Sequence, residues 1–121
     1  MFIEKRKYPR ISFKLPIKLS EYDYDIVTET RNISGNGVYC TVDKELAPMT
    51  KLKIIMLIPF KKNAKKTLKK VICRGVVIRK EHTDNTNRYK HNIAIYFTEI
   101  KESDRKLILS YISSSLKETA Q

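Results

Sequence analysis

Apolar and polar residues alternate from the thirteenth residue onward. In "SFKLPIKLS", Phe13, Leu15, Ile17 and Leu19 fall on one face, with Lys14, Pro16 and Lys18 on the other. That period of two describes a half-buried strand, and Pro16, which has no N–H for a neighbour, points to an edge or a bulge. "DIVTETRNIS" continues with β-branched residues at Ile26, Val27, Thr28, Thr30 and Ile33. "GNG" interrupts it, and "VYCTVD" resumes with Val38, Cys40 and Val42 on one side. Asn36-Gly37 between two such runs predicts a hairpin, because both residue types accept positive φ. "KLKIIMLIPF" predicts a fourth strand, apolar enough to be covered on both faces. "KVICRGVVIRK" is a fifth, with Gly75 marking a bulge. "HNIAIYF" is a sixth, with Ile93, Ile95 and Phe97 aligned. The lysine-rich stretch from Lys61 to Lys70 and the polar "HTDNTNRY" read as connections. Then the period changes: Ser103 can cap a helix in which Leu107, Ile108, Tyr111, Ile112 and Leu116 recur at spacings of three and four. The expectation is an all-β chain with one C-terminal helix, a six-stranded antiparallel β-barrel whose closure removes exposed edges.

Composition narrows the class. A chain of 121 residues is one domain, long enough to bury a core. No apolar run approaches the roughly 20 residues that cross a bilayer. The apolar residues of "MFIEKRKYPR" precede its charges, the reverse of a signal peptide. Cys40 and Cys73 stand inside strand-like runs without CxxC or histidine spacing, as buried free thiols of a reducing cytoplasm do. No nucleophile–base pair or paired carboxylates suggest an enzyme. Asp23 and Asp25 share a polar turn, and His82 and His91 lie in polar surroundings without carboxylate or cysteine neighbours at ligand spacing. Neither a catalytic residue nor a metal ligand is expected.

Charge adds direction. The net charge is +12, and residues 61 to 80 carry nine basic side chains and no acidic one. Such a field draws anions in. A second basic run, "EKRKYPR", precedes the first strand with four basic residues in seven. By itself it reads as a solvated tail. "NISGNG" by itself reads as a turn.

Together they carry a pattern. Arg6 and Arg10 form R-x-x-x-R, two strands intervene, and Asn32, Ser34 and Gly37 form N-x-S-x-x-G. In this order and separation the chain resembles the PilZ domain, the bacterial receptor module for cyclic di-GMP, over nearly its whole length. Ala94 departs from it, standing where a glycine is usual, and Asn32 replaces the commoner Asp. The resemblance implies a cyclic di-GMP site of Arg6, Arg10, Asn32, Ser34 and Gly37, without cofactor, metal or catalysis. It divides the chain into a basic ligand-clamp segment (1–12), the barrel (13–100) and the helix with its tail (101–121).

The chemistry suits that ligand, which offers two phosphates and two guanines. A guanidinium fork meets guanine O6 and N7 bidentately and stacks on the ring for about 0.5–2 kcal/mol. Lysine does neither as well, which separates Arg6 and Arg10 from Lys5 and Lys7. Asn32 and Ser34 would hydrogen-bond the ligand's other polar edges. Tyr8 is read as packing on the barrel, with Pro9 stiffening the approach to Arg10. The basic segment is expected to be mobile until a ligand bridges it to the turn, creating a surface for a downstream protein partner. If Met1 begins the natural chain, no output domain is attached and signalling passes through that partner. The alternative is a basic β-barrel that binds RNA or single-stranded DNA. It would need exposed aromatics for stacking, whereas Phe13, Phe60 and Phe97 fall on apolar faces.

Overall fold

The computed structural model describes residues 14–82 and 91–119. Phe13, Tyr8, Pro9 and the connection from Thr83 to Lys90 lie outside them. Strands β1 (Pro16–Glu21), β2 (Tyr24–Ile33), β3 (Gly37–Val42), β4 (Lys51–Lys62), β5 (Lys65–His82) and β6 (His91–Glu99) precede helix α1 (Glu102–Thr119). All pairings are antiparallel, and in the order β1-β2-β3-β6-β5-β4 the last strand returns to the first. The six strands therefore form a closed ring with one C-terminal helix.

Alternation decides what the ring encloses. Leu15, Ile17 and Leu19, then Val38, Cys40 and Val42, then Ile93, Ile95 and Phe97 are all buried in one cluster. Pro16 is the first residue of β1, and β4 joins β1 only from Ile17 onward. Its missing N–H therefore costs the ladder little. Register slips between Arg74 and Gly75, the expected bulge. Cys40 and Cys73 are buried free thiols. Burial pushes both up to about 12, Cys73 with help from the Asp104 charge.

Several expectations change. The lysine-rich stretch is strand, because β4 and β5 continue pairing to Lys62↔Lys65 around a two-residue turn, Asn63-Ala64. Both turn residues are left-handed, at φ 52° and 67°, the geometry that matches strand twist in a two-residue hairpin. By contrast, no glycine has positive φ, so the β2–β3 connection is not the Asn-Gly hairpin expected. His91 is buried rather than in polar surroundings. Finally, Lys101 O accepts from the backbone of Asp104 and Arg105, so α1 starts at Glu102 and Ser103 lies within its first turn. Glu102 and Asp104 there favour the positive end of the helix dipole. The buried stripe runs through Ile108, Ile112 and Ser115, while Leu116 is 47% exposed. At 3.6 residues per turn, Ser115 lies about 20° around the helix from Ile108 and Leu116 about 80°.

Register also assigns the ends of the ring. Pro16 of β1 pairs near the end of β2, Gly37 pairs with Tyr96, and Arg74 with Glu99. The start of β1, the β2–β3 connection, the end of β6 and the first turn of α1 thus share one end. The helix packs against β4 and adds Ile108 and Ile112 to the core.

Candidate functional site

The β2–β3 connection, residues 34 to 36, is held from three sides. Its own hydrogen bonds come first: Ser34 N donates to Gly37 O at 2.9 Å, and Asn36 N donates to Ser34 Oγ at 3.2 Å. The Ser34 hydroxyl in turn donates to Gly37 O at 3.4 Å. Strand β6 supplies the second hold, Phe97 N donating to Asn36 O at 2.8 Å. Helix α1 supplies the third, Arg105 Nε donating to Gly35 O at 3.0 Å. The Arg105 guanidinium also pairs with Glu102. A connection satisfied on every side keeps its shape when a ligand arrives, so little ordering entropy is spent there.

Ser34 is 5% exposed, and its hydroxyl is turned into the connection rather than outward. Gly37 answers a steric demand, not a dihedral one. A Cβ there would overlap the carbonyl oxygen of Ile95 and stand 3.2 Å from its carbon. Only a residue without a side chain lets β3 lie this close to β6.

Asn32 sits after an irregularity in β2, where pairing steps from Thr30↔Cys40 to Asn32↔Tyr39. Val38 and Cys40 point inward, so Tyr39 and its partner Asn32 share the outer face. Asn32 Oδ1 is buried, and no donor reaches it among the described residues. An unmet buried acceptor costs about 1–3 kcal/mol, which makes it a point for an incoming donor.

The same face carries residues that sequence reasoning passed over. Tyr39 Oη donates to Glu81 Oε2 at 3.1 Å. Burial, then the Glu81 hydrogen bond and charge, raise the Tyr39 phenol above its usual range, so it stays a neutral donor. Tyr96, opposite Gly37, is exposed. Ala94, at the position where glycine is usual, is buried opposite Tyr39 and Arg79. Tyr39 and Tyr96 occupy outward positions of alternating strands, a signal available in the sequence. Arg105 is 70 residues from Gly35 and had no local signal. The structure thus brings Asn32, Ser34 and Gly37 together, while Arg6 and Arg10 lie outside the described residues. No group of three or more histidine, cysteine or acidic side chains suited to a metal ion stands among the described residues.

The fold has relatives among solved structures. Inhibitor of motility (MotI/DgrA) of Bacillus subtilis superposes with a TM-score of 0.79 at 20% identity, over 95% of this chain and 53% of that one. The chain thus spans about half the length of that protein. The PilZ domain of YcgR from Escherichia coli, solved with c-di-GMP, superposes at 0.62 and 13% identity, over 97% of this chain and 95% of that one. No curated protein sequence matches this chain. A family model described as the PilZ domain matches residues 4–114, a span that contains both the arginine pair and the N-x-S-x-x-G turn, and the chain belongs to that family.

Proposed function

We propose that this chain is a cytoplasmic receptor for cyclic di-GMP that changes shape on binding and so regulates a partner protein. The observation that carries this reading is Asn32 Oδ1, a buried acceptor that no donor reaches among the described residues, beside a connection already tied to β6 and α1. A guanine edge, rich in N–H donors, meets that need. Arg6 and Arg10 supply the positive half of the clamp, by bidentate contact and stacking. Asn32 reads the ligand, Gly37 lets β3 approach β6 and so fixes where the connection lies, and Ser34 shapes the connection that presents them. The cyclic di-GMP bound to the E. coli YcgR domain and the family of this chain support the reading. PilZ domains act as receptor and adaptor modules, so no catalysis is assigned. The nucleic-acid alternative is disfavoured by Phe97, which is buried, and Phe60, which lies beneath Lys69.

Calorimetric titration with cyclic di-GMP, with GTP and a short RNA as controls, tests the proposal. Binding should be selective for the dinucleotide and shallow in salt. Arg6→Ala and Arg10→Ala should each weaken it by about 2–4 kcal/mol with the fold intact. Amide exchange should slow most in residues 4 to 12 when ligand is added, and less in residues 32 to 37, where the Ser34 and Asn36 amides are already bonded. A sequence-selective RNA binding tightly, or both arginine variants binding like the parent, would overturn the assignment.

A further inference from the structure

The β4–β5 pairing runs past the ring. On β4, pairing with β1 ends at Met56, and on β5, pairing with β6 begins at Arg74. Six further residue pairs, from Leu57↔Lys70 to Lys62↔Lys65, belong to the two strands alone among the described residues. At about 3.3 Å per residue this is a ribbon roughly 20 Å long. It rises from the end of the ring that holds the Asn32–Gly37 connection. One face is covered at its base, where Ile58 is fully buried in the cluster that includes Ile108 and Ile112, while Lys69, Thr67 and Lys65 further along it are exposed.

The other face is open, so the fourth strand is covered on one face and not on both as its apolar run suggested. Leu57↔Lys70, Pro59↔Leu68 and Lys61↔Lys66 share it with Ile55↔Ile72. Leu68 is 61% exposed and Ile72 49%. Lys61, Lys66 and Lys70 flank them, while Lys65 and Lys69 project from the other face of β5, all exposed. The acid partners in the described ion pairs go to Lys18, Arg74, Arg79, Lys80 and Arg105, and none goes to a ribbon lysine. Apolar side chains among lysines without an acid partner among the described residues, and without an aromatic on the open face, suit one kind of surface. Lysine is a hydrated point charge that matches diffuse headgroup charge better than a bidentate site. Leucine and isoleucine can enter the acyl boundary, and base stacking lacks a platform.

We infer that the β4–β5 ribbon docks the protein onto a membrane surface that carries anionic lipid. Docking at this end would hold the ligand connection and the start of α1 close to the bilayer. The inference is independent of what the connection binds.

Vesicle co-sedimentation of the full chain tests it, using phosphatidylglycerol and phosphatidylcholine in equal parts against phosphatidylcholine alone. Each lysine near an anionic surface contributes about fivefold in partitioning. The parent should sediment with the anionic vesicles only, and less as salt rises from about 50 to 200 mM. The combined variant K61E/K66E/K70E should lose at least about a hundredfold, with an unchanged melting temperature. Leu68→Ser, which keeps every charge, should lose several-fold. The inference is overturned if the parent does not bind anionic vesicles, if it binds the neutral ones equally, or if the charge-reversed ribbon binds like the parent. It is likewise overturned if a single-stranded oligonucleotide occupies the ribbon more tightly than the vesicles at equal salt.

Discussion

Gly37→Ala isolates the reason for a glycine in this connection. Because Gly37 has no positive φ, alanine meets no dihedral strain and the whole effect must be steric. The added Cβ overlaps the Ile95 carbonyl oxygen, and the Ile95 carbon and Tyr96 Cα stand at 3.2 and 3.4 Å. These are backbone atoms of a paired strand, so no rotamer change relieves them. Restoring a contact of about 3.5 Å requires β3 and β6 to part by more than about 1 Å. Overpacking of this kind costs about 1–3 kcal/mol. The displacement also strains the hydrogen bond from Phe97 N to Asn36 O, adding about 1 kcal/mol. The sum is about 2–4 kcal/mol. With an unfolding entropy of about 2.1 cal/mol/K per residue, the melting temperature should fall by roughly 8–16 °C. Calorimetric melting measures this directly. Gly75→Ala is the comparison: its Cβ meets Ile95 Cγ2, Tyr96 O and Ile54 Cδ1 at 2.8 to 2.9 Å, and two of those atoms are movable side-chain methyls. Gly37→Ala should therefore be the more damaging, and at temperatures where it remains folded its cyclic di-GMP affinity should fall. A Gly37→Ala protein melting within about 2 °C of the parent would refute the close-approach argument.

Other consequences follow from the same geometry. Arg105→Ala removes the tie between α1 and Gly35 O; it should cost about 1–2 kcal/mol of stability and speed amide exchange in residues 34 to 37. Arg105→Lys, lacking the planar fork, should restore little. Ala64 is left-handed at φ 67°, so Ala64→Gly should stabilise by about 0.5–1 kcal/mol in urea unfolding. Cys40 and Cys73 have thiols raised from 9.0 to about 12, so the unfolded chain loses those protons first as pH rises. Stability from keeping them neutral is full below about pH 9 and lost between there and about pH 12. A Cys40→Ala/Cys73→Ala variant should show a flatter alkaline decline in the same unfolding assay, and an unchanged slope would contradict the burial argument.

The sequence by itself determined which residues face inward. Alternation in a strand is geometric, so Leu15, Ile17, Leu19, Val38, Cys40, Val42, Ile93, Ile95 and Phe97 were legible as core, and all are buried. The bulge at Gly75 and the six strands before one helix were legible for the same local reason. The motif positions Asn32, Ser34 and Gly37 were visible as well, but not what each does. Whether Asn-Gly turns left-handed depends on how closely the next strand approaches, and the Ile95 carbonyl beside Gly37 is 58 positions away along the chain. The lysine stretch shows the converse: its polarity reads as loop, yet pairing with β4 and a left-handed Asn63-Ala64 turn draw it into a strand. Like-charged side chains can project to solvent while the backbone ladder is satisfied, so composition does not decide that case. Nor could any local pattern place Arg105 against Gly35. That contact exists because β6 pairs with β3 and brings its own end, and the helix that follows it, back to the connection between β2 and β3. Tertiary pairing, and no property of either segment, put the helix in touch with the candidate site.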